Sequence, residues 1–180
     1  MTTTAQPPAE AVAKDAHWAS TLDRLRARQR PTASLRICDD QDTKNALAEA
    51  SAEQRRAQYQ HDDEPTTATK RDLKAADAAV ATAQAAVDDA TIVLHFQAME
   101  RPAFEALKKA HPASEEQALD NFEVDVEAIG PPLIAASNTD GMTEEQAAEF
   151  LNTWSESEAA ALFSVAWNIQ QTVRMDLGKG

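Results

Sequence analysis

Leu73, Ala76, Val80, Ala83, Val87 and Ala90 recur at alternating intervals of three and four residues. That is the a/d spacing of a helix that packs along a partner helix, and it predicts a helix from about Thr69 to Ala90. A weaker stripe precedes it: Leu47, Ala50, Gln54 and Ala57, in a segment that Asp40 or Asp42 can cap and that runs to about Tyr59. The stretch His61-Asp-Asp-Glu-Pro65-Thr-Thr67 breaks the two apart. On either side the period changes to two. Ser34 to Cys38 puts Leu35 and Ile37 on one side. Thr91 to Met99 puts Ile92, Leu94, Phe96 and Ala98 on one face and Val93, His95 and Gln97 on the other. An isolated strand is unstable, so these two pair most simply with each other. The pattern therefore predicts a long antiparallel helical hairpin inserted between two paired strands, each arm reaching roughly 30 Å at ~1.5 Å per residue.

The remainder reads as helix. Ala16 to Arg30 carries Trp18, Leu22 and Leu25 on one face, and the first fifteen residues, small, polar and broken by Pro7 and Pro8, read as a disordered tail. After the second strand, Pro102 suits a helix's first turn and His111-Pro112 stops that helix. Ser114 with Gln117, Thr143 with Gln146, and Ser155 with Glu158 form capping boxes. Gly130-Pro131-Pro132 is expected to open a helix through Leu133, Ile134 and Ala135, and Asp140-Gly141 to make a turn. A last helix, about Glu156 to Met175, lines up Ala159, Leu162, Phe163, Ala166, Trp167 and Ile169 or Gln170. The expected fold is mainly α with a small two-stranded β element. Its divisions are a tail (1–15), a helix plus strand–hairpin–strand module (16–99) and a small C-terminal helical domain (100–180).

Composition sharpens this picture. The 180 residues include 38 alanines, four glycines and one cysteine, and carry a formal charge of −13. So few glycines leave little room for phosphate loops, and so much alanine favours helix. The acidic excess argues against nucleic acid or an anionic membrane as partner, since a phosphate backbone is bound by clustered Lys and Arg. One cysteine excludes an internal disulfide framework, and no apolar run approaches a membrane span. The expectation is a soluble, acidic, intracellular protein. Charge is also uneven: residues 1–38 are net +3, residues 39–90 net −6 and residues 91–180 net −10. Opposite charges at the two ends allow head-to-tail association of copies.

Catalytic chemistry is scarce. There is no nucleophile elbow, no Gly-rich phosphate loop and no His-Glu-x-x-His motif. His17, His61, His95 and His111 are far apart, and Cys38 is followed by Asp39 and Asp40, which disfavour a thiolate. Asp39-Asp40-Gln41-Asp42 lacks the glycine and distal Glu of a calcium loop, so it reads as a helix N-terminus; His61-Asp62-Asp63-Glu64 reads as a solvated hairpin tip. No enzyme, cofactor or metal site is expected. Interaction surface is better represented. Trp154, Phe163 and Trp167 cluster around the last helix; most should be core, yet so small a helical domain has little interior for three of them, and one is expected at a contact with another chain. Leu133 and Ile134 join them as candidate partner contacts. Arg24 and Arg28, in the basic run Arg24 to Arg30, are candidates for docking acidic partners, although a solvated helix end explains that run more simply.

The Arg-rich opener Thr21 to Pro31, the strand ending in Cys38-Asp39 and the later blocks at 92–107, 111–117, 131–136 and 142–163 follow one another in a layout that resembles the tail assembly chaperones of long-tailed (siphovirus-type) bacteriophages infecting actinobacteria. The resemblance is carried by the opener Thr21-Leu-Asp-Arg-Leu-Arg-Ala-Arg-Gln-Arg-Pro31, then a strand ending in Cys38-Asp39, then a variable Ala-rich helical stretch. Ile92-Val-Leu-His-Phe96 comes next, running into Arg101-Pro-Ala-Phe-Glu-Ala-Leu107. His111-Pro-Ala-Ser-Glu-Glu-Gln117 is similar to a His-Pro-Pro-Thr-x-Glu-Gln segment of that family. Pro131-Pro-Leu-Ile-Ala-Ala136 is similar to its Phe-Pro-Pro-Ala-Leu-x-Ala stretch, with Ile129-Gly130 in place of the aromatic residue. Met142 to Ala148 and Trp154 to Phe163 are similar to its closing block.

The resemblance, over about residues 20–170, implies a non-enzymatic protein. Such a protein binds the long helical tape measure protein and promotes polymerisation of tail tube protein around it in the host cytoplasm, without staying in the mature virion. It also implies a longer form made by ribosomal frameshifting, for which Gly178-Lys179-Gly180 is a compatible site. Two other readings compete: a structural virion subunit of the tail or head–tail connector, and, from charge alone, an acidic DNA-mimic inhibitor.

Overall fold

The computed structural model describes residues 9–172. Ten elements occur in order: α1 (Ala9–Arg26), β1 (Thr32–Ile37), α2 (Gln41–Asp63), α3 (Thr67–Asp89), β2 (Ile92–Gln97), α4 (Arg101–Ala110), α5 (Glu115–Leu119), α6 (Val126–Ser137), α7 (Glu144–Thr153) and α8 (Glu156–Gln171). The protein is mainly α with one two-stranded antiparallel sheet, running from Thr32↔Gln97 at one end to Ile37↔Ile92 at the other. The helical hairpin α2–α3 is inserted between the two strands. No described helix is long and apolar enough to cross a membrane.

Spacing in sequence becomes contact in the hairpin. Along α3 the residues shielded from solvent include Leu73, Ala76, Val80, Ala83 and Val87, continuing to Ala90 at its cap; along α2 they include Leu47, Ala50, Gln54 and Ala57. None is fully buried, because alanine seams cover little area and the two arms pack chiefly on each other. Asp40 caps α2 as expected, its carboxylate accepting the N–H groups of Asp42 and Thr43 at 3.0 Å. The same seam carries α2 further than Tyr59. His61 takes the next half-buried position, its Nδ1 3.0 Å from Thr69 Oγ1, so His61 to Asp63 are helix and the break is Glu64 to Thr66. Thr66 and Thr69 form a capping box there, which starts α3 at Thr67.

Three other boundaries move. α1 begins at Ala9, so residues 9–15 of the expected tail are helical, as the helix formers Ala9 to Lys14 favour; residues 1–8 lie outside the described residues. Gly130-Pro131-Pro132 does not open a helix but lies inside α6. Asp125 is the N-cap, accepting the N–H groups of Glu127 and Ala128 at 3.1 Å, and so sets the start at Val126, ahead of the glycine. The two prolines leave the carbonyls of Glu127 and Ala128 without helical donors, and both of those residues are exposed to water. α8 stops at Gln171, with Thr172 extended. Met175 and the expected frameshift site at Gly178-Lys179-Gly180 lie outside the described residues.

The core centres on α6. Ile129, Leu133 and Ile134 are fully buried with Ala147 of α7 and Leu162 and Ala166 of α8. Phe96 of β2 belongs to the same cluster, and Leu35, Leu94, Phe104 and Leu107 pack against it. Sheet and C-terminal helices therefore share one interior, and a boundary at residue 99 would cut through it. β2 is also bonded to the α6–α7 connection, where Thr139 N–H donates to the His95 carbonyl at 2.9 Å. Asp140 Oδ2 accepts the His95 N–H at 2.6 Å. The His95 N–H, and after it the His95 side chain, hold the Asp140 carboxyl below the usual carboxylate range.

Candidate partner-binding grooves

α8 walls two grooves with two of its faces while a third is buried. The first groove, about 760 Å³, lies between the sheet and the α7–α8 junction. Leu35, Ile37, Ile92 and Leu94 line it from the strands; Phe150, Trp154, Ser157 and Ala161 line it from the helices. Trp154 is the C-cap of α7. Its N–H bonds the Phe150 carbonyl at 3.0 Å, and its ring stacks on Phe150 with centroids 5.0 Å apart. The next residue, Ser155, starts α8. The Glu158 carboxylate reaches back to accept the Ser155 hydroxyl at 2.6 Å and its N–H at 3.2 Å. That hydroxyl, then the N–H, keeps the Glu158 carboxyl below its usual range, so the groove wall carries a fixed negative charge at neutral pH. Asp39 adds a second carboxylate and Cys38 a thiol of intermediate exposure.

The second groove, about 600 Å³, lies between α4, the α5–α6 loop and α8. Trp167 is its centre, edge-on to Phe104 at 5.7 Å and stacked on Phe163 at 5.8 Å. Lys108 sits over the Phe104 ring at 5.3 Å and pairs with Glu105 at 3.2 Å. The outer lip is Phe122, 50 % exposed. Its loop is held at both ends. Asn121 turns the chain at φ 66°, a left-handed conformation that Asn tolerates. The Asp125 N–H then bonds the His111 carbonyl at 3.1 Å. An aromatic side chain is thus presented to solvent on fixed backbone.

The expected partner residues fall into three groups. Phe163 and Trp167 come together in the second groove, and Trp154 lies in the first. Leu133 and Ile134 are corrected: each is fully buried in the core and presents nothing to a partner, because α6 sits under α7 and α8 rather than at the surface. Arg24, in the last turn of α1, and Arg28, just beyond it, are exposed and line neither groove. Sequence reasoning missed Phe104 and Phe122 as groove residues. Phe122 comes directly after Asp120-Asn121, a turn pair, which could have placed it on a loop. Comparison of the chain with models of known families, with curated proteins and with solved structures gave no match.

Proposed function

We propose that this chain is a non-enzymatic assembly chaperone of a long-tailed bacteriophage, which binds the tape measure protein and helps tail tube protein polymerise around it. The observation that carries the reading is the second groove. Four aromatic rings, Phe104, Phe122, Phe163 and Trp167, form an open apolar trough, and such a trough takes the apolar face of an amphipathic helix, the unit from which a long helical client is built. The acidic body, net −13, keeps such a complex dispersed. The order of sequence blocks from the Arg-rich opener to Phe163 supplies the client's identity. The protein acts in the host cytoplasm and leaves before the particle is complete.

Co-expression tests it: the tape measure protein encoded beside this chain should move from the insoluble to the soluble fraction when the chain is present. An unchanged soluble fraction overturns the reading. Purified particles should contain at most traces of the chain; stoichiometric amounts would make it a virion subunit instead.

A further inference from the structure

The amphipathic face of α1 has no partner within its own chain. Trp18 is 58 % exposed and Leu25 47 %, with Leu22 between them on the same face, and α1 packs extensively on no other described element. A tryptophan and two leucines in a row on a helix make a recognition stripe left uncovered. The end of this helix is basic: Arg24 and Arg26 lie in its last turn and Arg28 just after it. The first groove has the opposite character. Its floor is apolar, with Ile92 59 % exposed beside Ile37 and Trp154. Its charged lining is Asp39, Glu158 and Arg36, and Arg36 is engaged by Asp88 at 2.6 Å, which leaves the carboxylates as its net charge. Glu156, in the same first turn of α8, stands outside the lining but adds negative charge near its edge.

We propose that α1 of one copy docks in the sheet–α8 groove of a second copy, with Trp18, Leu22 and Leu25 covering Ile92 and Trp154 and the arginines meeting Asp39, Glu156 and Glu158. Charge favours this groove over the second, whose lining carries a single carboxylate, Glu123, beside a Lys108 already paired with Glu105. Strand direction disfavours occupancy by the chain's own α1: the helix joins β1 at Thr32, whereas the groove lies at the other end of the sheet, around Ile37 and Ile92. Reciprocal exchange of two helices closes a two-fold dimer. This association is separate from client binding, which uses the other groove.

The single native cysteine makes a direct test, because Cys38 lines the groove. In Thr21→Cys a thiol flanks the α1 stripe, and mild oxidation of the full chain should give a disulfide-linked dimer on a non-reducing gel. A control thiol on the exposed face of α6, Ala136→Cys, should not. By light scattering the wild-type protein should be dimeric, and Trp18→Glu, Ile92→Glu and Ala161→Arg should each weaken the dimer at least about tenfold, with circular dichroism confirming an unchanged fold. Mixing Trp18→Glu with Ile92→Glu should restore association through the one intact contact. Raising salt from about 0.05 to about 0.5 M should weaken it. A monomer at all concentrations, a dimer indifferent to all three substitutions, or a disulfide formed within one chain of Thr21→Cys overturns the proposal; the last outcome assigns the groove to the chain's own helix.

Discussion

Gln170 Oε1 accepts the backbone N–H of Met99 at 2.8 Å, joining the last helix to the exit of β2 across 71 positions of sequence. The same amide donates to Ser137 Oγ at 2.9 Å, and Ser137 is the one buried polar side chain among the described residues. One side chain thus satisfies groups on two other segments. Gln170→Leu keeps the volume and removes both bonds, and should cost about 1–3 kcal/mol in urea unfolding because the buried Ser137 hydroxyl and the half-buried Met99 N–H lose their partner. Adding Ser137→Ala should recover part of that loss. A cost below about 0.5 kcal/mol would show that water replaces the amide.

Gly130 is constrained from two sides. A Cβ there would sit 3.1 Å from Leu151 Cδ1, and the residue precedes Pro131 inside a helix, where a side chain clashes with the proline ring. Gly130→Ala should therefore destabilise by about 1–2 kcal/mol, although alanine is the better helix former in general. Thermal unfolding with equal or higher Tm would show that Leu151 yields and the pre-proline clash is relieved.

The Asp140 carboxyl is held below its ordinary range by the His95 N–H and then the His95 ring, whose Nδ1 lies 2.9 Å away. A depressed folded-state pKa means that this stability is present above about pH 4 and is lost as pH falls through the depressed value. Asp140→Ala should be less stable than wild type at neutral pH, with the gap closing in acid. A gap that stays constant down to about pH 2 would mean that the carboxylate's charge is irrelevant.

Because α2 and α3 pack chiefly on each other, and Ile37 pairs with Ile92 where the hairpin is inserted, the hairpin should be dispensable to the body. Replacing residues 41–89 with a short Asn-Gly turn should leave a cooperatively folded protein whose buried core is unchanged. Loss of cooperative unfolding in that variant would show that the hairpin supports the sheet.

For the client groove, Phe122→Ala removes a half-exposed ring from a loop and should leave Tm within a few degrees of wild type. Yet it should lower the soluble yield of a co-expressed tape measure protein severalfold, as expected of an aromatic contact residue. Unchanged yield would place the client elsewhere.

Local patterns carried far in this chain because two of them are strict. The heptad steps at Leu73 to Ala90 and the alternation at Ile92 to Ala98 determined the hairpin, the strands and their pairing. Caps were equally legible at Asp40, Ser114, Thr143 and Ser155. The misreadings share one cause: a residue's usual local role was overridden by a competing neighbour. Pro131 normally begins a helix, but Asp125 offers a better cap upstream. His61 normally suits a polar tip, but the seam needed one more step. Leu133 and Ile134 read as available because nothing local says that α7 and α8 lie over α6. The grooves were hidden for the same reason: Phe104 and Phe122 meet Trp167 only through tertiary packing.

The Arg36–Asp88 pair, 52 positions apart in sequence, spans the base of the hairpin. Pairing two strands that far apart ordinarily carries a large loop-closure entropy and slows folding. Here the intervening chain forms its own local structure, and zipping of α2 against α3 brings Ile37 to Ile92. The search for strand pairing becomes a short final step. The strands, and the core strand residue Phe96 with them, should therefore assemble after the hairpin, and variants that slow its zipping should slow burial of the core in stopped-flow refolding even where they leave the final stability untouched.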